Sequence, residues 1–200
     1  MRALIFGMML ACCSVGASSE SDAADPGQYE IHHLRLGMAP DEIKLAGKKA
    51  KLGEFREIRS PSFEQAVAIA QRKSVSPNAF SGVQEMRAKG NDASIQISFA
   101  PTQEGPRAWR IVYSWLNASL SRDALRQEIF SKYGQPEKQL NREWLWGDTA
   151  TFFDARTKPY LEFRIDPASA GVEKPIATLT LADQSIQRAS KAAIDNQTQR

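Results

Sequence analysis

The stretch Arg107-Ala108-Trp109-Arg110-Ile111-Val112-Tyr113-Ser114-Trp115 decides the fold class. Trp109, Ile111, Tyr113 and Trp115 fall two apart, and Ala108, Arg110, Val112 and Ser114 fill the alternate positions. Successive side chains of an extended chain point to opposite sides, so this spacing predicts a strand with one aromatic, apolar face. Just upstream, Val83–Lys89 and Ser94–Ala100 flank the turn Gly90-Asn91-Asp92 and read as a hairpin, with Ile95, Ile97 and Phe99 on one side. The loop from Pro101 to Pro106 returns the chain into the aromatic strand.

Working outward toward the N-terminus, Pro40 to Lys51 reads as a helix. Proline suits the first helical position, and Asp41 and Glu42 suit the positive end of the helix dipole. Ile43, Ala46, Gly47 and Ala50 share one face, and Gly53 is the stop signal. Glu54–Arg59 reads as a short strand. Ser62–Lys73 reads as a helix through Phe63, Ala66, Val67 and Ala70, although Val67 and Ile69 also fit a strand.

Toward the C-terminus the same order begins again. Ser121 is an N-cap, Leu125, Ile129, Phe130 and Tyr133 form an apolar helix face, and Gly134-Gln135-Pro136 ends the helix. Strands are predicted at Arg142–Gly147, Thr149–Asp154, Tyr160–Asp166 and Ile176–Leu181. Sliding the chain along itself lays Met38–Ile43 on Leu120–Leu125, with most pairs of one type. The fold class is therefore α+β, with tandem helix-plus-antiparallel-sheet units forming two α/β4-like repeats. The first unit is 29–116 and the second 117–183, with the seam near Leu116 and each sheet under its own helix. A flexible lead-in, 18–28, precedes them, and a polar, partly helical and loosely held tail, 184–200, follows.

Composition narrows the function. Of 200 residues, 26 are basic and 23 acidic, a net charge of +3 that is too balanced for a dedicated nucleic-acid binder. No run of eighteen apolar residues is present, so no membrane-spanning segment is predicted. Met1-Arg2, the apolar run Ala3–Ala11, and Val15 and Ala17 at the two positions signal peptidase reads make 1–17 a signal peptide. The expected product is an exported protein of the bacterial envelope, periplasmic or secreted. Cys12 and Cys13 both lie in this leader, which leaves the mature chain without cysteine. Met9-Leu10-Ala11-Cys12 has some likeness to a lipobox, so the alternative is a membrane-anchored lipoprotein acylated at Cys12 or Cys13.

Catalytic chemistry finds little to stand on. Loss of cysteine removes thiol nucleophiles, thiolate zinc sites and redox motifs together. His32 and His33 are adjacent, and on an extended segment they point to opposite sides, so they read as polar residues at a strand edge. There is no His-Glu-x-x-His, no Gly-x-Ser-x-Gly and no phosphate-cradling glycine loop. No pair of carboxylates is singled out for sugar hydrolysis. The chain reads as non-catalytic, with neither cofactor nor metal.

The candidate interaction residues are aromatic: Trp109, Tyr113 and Trp115 on one predicted strand, Trp144 and Trp146 on another. These faces either pack the core or stay open as a flat surface for a partner protein or a sugar ring. Lys44, Lys48, Lys49 and Lys51 cluster on the first helix, as a solvated face or a peripheral contact with anionic lipid.

Leu36-Gly37-Met38-Ala39-Pro40-Asp41-Glu42-Ile43 resembles the Gly-Met-Thr/Ser-x-x-x-Val helix start of small exported bacterial proteins. These are the SmpA/OmlA (BamE-like) outer-membrane lipoproteins and the β-lactamase-inhibitor-protein-like domains. Lys132-Tyr133-Gly134-Gln135-Pro136 is similar to the leucine-Gly-x-Pro end of the same helical segment. The resemblance implies helices paired with antiparallel sheet, in two tandem units for the inhibitor protein, and members that bind proteins without catalysing. The leading expectation is a protein-interaction module whose partner is another envelope protein. The alternatives are a cell-wall glycan or small-ligand binder or weak hydrolase using exposed tryptophans, and a lipid-anchored outer-membrane factor.

Overall fold

The computed structural model describes residues 25–116, 121–150, 156–166 and 176–199. In chain order these form α1 (Pro40–Lys49), β1 (Arg56–Ser60), α2 (Phe63–Ala70), β2 (Gly82–Lys89), β3 (Ala93–Thr102) and β4 (Gly105–Trp115). They continue as α3 (Arg122–Tyr133), β5 (Lys138–Leu140), β6 (Glu143–Gly147), β7 (Tyr160–Ile165), β8 (Ala177–Ala182) and α4 (Gln184–Thr198). The expected leader with Cys12 and Cys13, most of the lead-in and the start of the second unit lie outside the described residues. So does most of the predicted strand Thr149–Asp154.

Local chemistry explains where the helices begin. The Glu42 carboxylate accepts from the Ala39 amide at 2.7 Å, and Pro40 opens α1. Ser62 and Gln65 cap α2 reciprocally: the Ser62 amide donates to Gln65 Oε1 at 2.9 Å and the Gln65 amide to Ser62 Oγ at 3.4 Å. The Ala124 amide donates to Ser121 Oγ at 3.3 Å, and Gly134 ends α3 with φ 81°.

The eight strands form one antiparallel sheet in the order β1-β2-β3-β4-β8-β7-β6-β5. Two four-strand meanders are thus joined through β4 and β8, whose register runs from Arg110 opposite Ala182 to Trp115 opposite Ala177. The expectation of a separate sheet under each helix is corrected: β8 pairs with β7 on one side and β4 on the other, and all six of its residues are buried. A strand buried on both faces cannot lie at the edge of a smaller sheet without exposing unpaired backbone.

One face of the sheet carries the main core. Met86, Ile95, Ile97, Ile111, Leu161, Phe163, Leu179 and Leu181 pack there against Ile43 and Ala46 of α1, Leu125, Ile129 and Tyr133 of α3, and Tyr29, Ile31 and Leu34 of the entering chain. On the opposite face, α2 and α4 pack together and cross β3 and β4 near their connecting turn. The Ser190 hydroxyl donates there to the Pro101 carbonyl, and Gln71 Nε2 donates to the Gln197 carbonyl at 3.4 Å. The tail expected to be partly helical is a helix, and its expected loose attachment is corrected: it is packed, and capped where Asp183 accepts from the Ser185 amide at 2.8 Å. The strand alternation in β4 is also corrected. A bulge sets Ser98 opposite Arg110 and Phe99 opposite Ala108, leaving Trp109 unpaired across β3. As a result Ala108 and Ile111 are the fully buried positions.

Candidate interaction surface

Trp144 and Trp146 are only 4% and 2% exposed, on the core side of β6. Phe130 of α3 meets both rings edge-on at 5.9 Å, and Trp144 stacks on Phe163 at 5.5 Å with 27° between planes. Trp146 Nε1 donates to the Gly134 carbonyl at 3.1 Å, which satisfies the one polar atom of the indole. Neither residue has a surface to offer a partner or a sugar, which corrects the expectation placed on them. Trp115 and Tyr113 are half-buried against the same core, 4.8 Å apart edge-on, and Trp115 continues to Phe163 at 6.1 Å. Trp109 is also half-buried, and its carbonyl accepts from the Asp183 amide at 2.8 Å. The five aromatic candidates therefore make no single open face.

The two histidines form a turn. The Ile31 and Leu34 amides each donate to the other's carbonyl at 3.0 Å, and His32 and His33 between them take φ 51° and 66°. A two-residue hairpin with both φ values positive is the form that Asn-Gly adopts with least strain; two β-carbons make it costly. The extended edge expected here is thus a tight reversal. His32 lies over the Tyr113 ring at 4.5 Å. Burial, then the Lys132 ammonium, lower its pKa, against an opposing pull from Glu128. His33 Nδ1 is 3.2 Å from Glu30 Oε1 at an exposed position.

The first-helix lysines are not a uniform cationic patch. Lys44 Nζ is 2.6 Å from Glu57 and 3.4 Å from Asp41, and the Glu57 hydrogen bond raises its pKa. Lys44, Lys48 and Lys51 line a wide groove of about 680 Å³ together with Glu54, Phe55 and Glu57, so both signs of charge are present.

The polar sides of the strands form a different surface, which the sequence reading passed over. Glu57 points toward α1 through Lys44, so its neighbours Arg56 and Ile58 face the other side of the sheet. There, Arg56, Arg87, Lys89, Ser94, Gln96, Val112 and Ser114 line an open groove of about 460 Å³, with Glu54 at its rim. Glu85 fixes its floor: it pairs with the Arg87 guanidinium and accepts from Gln96 Nε2 at 2.6 Å. Arg56 and Arg87 stand directly opposite each other on β1 and β2. At the far end of the sheet Glu143 faces Arg164, a complementary pair, and Arg164 is 3.1 Å from Asp166. A strand's polar positions look like ordinary solvated residues in sequence, and only the pairing register shows which of them converge.

A polar clip holds the chain between β6 and β7. Arg156 is 5% exposed, lies 4.0 Å over the Tyr160 ring and donates to Glu162 at 3.0 Å and the Ala150 carbonyl at 3.1 Å. Asp148 accepts from the amides of Ala150, Thr157 and Lys158. Burial would raise the Asp148 pKa, but these amides and the Arg156 charge together lower it.

Among the described residues no three His, Cys, Asp or Glu side chains converge as a metal site would require. No helix among them is long and apolar enough to cross a membrane. Set against known proteins, the chain matches no family model, no curated protein and no solved structure.

Proposed function

We propose that the chain is a protein-interaction module that binds its partner on the outer face of the sheet, at the end away from α2 and α4. One observation carries the reading. A half-buried floor of Ser94, Gln96, Val112 and Ser114, with Gln96 held by Glu85, lines an open groove beside Arg56, Arg87 and Lys89. Flat strands with side chains held by neighbours lose little conformational freedom on binding, which favours recognition of another folded surface.

The biological frame is an exported bacterial protein with an envelope partner, supported by the leader-like start at 1–17 and by the resemblance in Leu36–Ile43 and Lys132–Pro136. The mirrored strand order, β1 to β4 meeting β8 to β5, supports two α/β4-like units joined edge to edge. The glycan-binding alternative loses its main support because Trp144 and Trp146 are buried.

A photo-cross-linking amino acid at Ser114, compared with one at Lys48 on the opposite side, tests the reading in living cells. The expected result is one dominant envelope protein captured from Ser114 and absent from Lys48. Capture from Lys48 alone would move the interface to the α1 side and overturn the proposal.

A further inference from the structure

We infer that Arg56 and Arg87 form a receptor for the carboxylates of an acidic segment on the partner; this rests on the outer-face reading above. The two guanidinium groups occupy directly opposed positions on adjacent strands. Like charges so placed oppose strand pairing, and of the two it is Arg87 that has a local carboxylate. Glu57 is turned away, toward Lys44 and Arg59. Glu85 is committed to Arg87 and Gln96. Among the described residues no carboxylate lies within ion-pair reach of Arg56.

The remaining groove chemistry fits the same ligand. A planar guanidinium matches a carboxylate bidentately, and the hydroxyls of Ser94 and Ser114 are donors along the floor. Glu54 is the one acidic side chain in the lining. The outer face carries Ile58 as its exposed large hydrophobic beside this groove, too little apolar surface to seat in a lipid interface. Its lining has no aromatic ring on which a base would stack, which argues against nucleic acid. An acidic peptide is the occupant that uses every group present.

The test is a titration of a fluorescein-labelled alternating Glu-Ser peptide against the full chain at low ionic strength, with phosphatidylglycerol vesicles as a parallel probe. Saturable peptide binding is expected, weakened about fivefold by Arg56→Gln and again by Arg87→Gln, unchanged by Lys48→Gln, and lost as salt rises. Arg56→Gln is also expected to raise the Tm of the free protein, because it removes the opposed charge. A residue kept only for stability would move that Tm the other way. A flat peptide titration, equal loss in Lys48→Gln, a lower Tm for Arg56→Gln, or vesicle binding without peptide binding would each overturn the inference. If the titration is flat while Ser114 still captures its partner in cells, this inference alone fails; if Ser114 captures nothing, the outer-face reading fails.

Discussion

Trp146 Nε1 donates to the carbonyl oxygen of Gly134 at 3.1 Å, so the residue that ends α3 is tied to the strand beneath it. Trp146→Phe removes this bond and is expected to cost about 1–2 kcal/mol. Trp144→Ala empties a ring-sized space between Phe130 and Phe163 and is expected to cost about 3–5 kcal/mol. Urea denaturation followed by far-UV circular dichroism measures both. A Trp144→Ala protein as stable as wild type would contradict its place in the core.

Two tyrosines hold the entering chain to α3. Tyr133 Oη donates to the Glu30 carbonyl at 2.7 Å, and Tyr29 Oη donates to the Tyr133 carbonyl at 3.3 Å. Burial first, then nearby acidic groups, push both phenols above their ordinary 10.0. Above that value the unfolded chain gives up these protons while the fold retains them, so stability must fall as pH rises past about 10. Tyr133→Phe is expected to lose about 1–2 kcal/mol at neutral pH and to flatten the alkaline limb of a Tm-against-pH curve.

The His32-His33 turn stores strain that glycine would relieve. At φ 66° His33 is more than half exposed and is paired with Glu30, so His33→Gly is expected to gain about 1 kcal/mol. His32 gives the turn a pH response. Its folded pKa lies below the ordinary 6.5 through burial, Lys132 and His33, with Glu128 opposing, and Tyr113 packs its ring. Between the folded pKa and 6.5 the unfolded chain binds the extra proton, so stability falls as pH drops through that window and then levels. Thermal melts of wild type and His32→Asn across this range should converge at acid pH; parallel curves would exclude His32 as the source.

Gly47 lies where α1 crosses Phe55. A β-carbon there would stand 2.3 Å from Phe55 Cε2, closer than any real contact. Gly-to-Ala in a helix ordinarily gains about 1 kcal/mol. Here the ring must move, so Gly47→Ala is expected to destabilise by about 1–3 kcal/mol. Adding Phe55→Leu should recover part of the loss. Additive costs in the double-mutant cycle would mean that the two side chains do not meet.

Local signals carried much of the fold. Pro40, Ser121 and Gly134 marked helix ends through capping chemistry that acts within a few residues, and the alternation of Ile95, Ile97 and Phe99 marked a core-facing strand. What escaped depends on distant partners. The bulge at Ser98 and Phe99 displaced Trp109 from a face that simple alternation assigned to it. Lys138–Leu140 is too short to show a period, and its strand exists through pairing with β6. The Gln184–Thr198 helix read as loosely held because its polar residues hid the contacts that Ser190 and the Gln197 carbonyl make elsewhere in the chain. The candidate site was least legible of all. Aromatic residues drew attention as binding groups, while Arg56 and Arg87 acquire meaning only when β1 and β2 pair.

The position of β8 constrains how the molecule can be made. Ala177–Ala182 is synthesised after the seven other described strands, yet it fills the centre of the sheet between β4 and β7. Until it emerges, each half presents an unpaired edge bearing Ile111 or Leu161, the kind of edge that templates aggregation. Closing β4 on β8 brings together distant parts of the chain and is the natural slow step of folding. A stop codon or proteolytic nick just before Ala177 would therefore remove more than a terminus: it would leave two sticky half-sheets with nothing to join them.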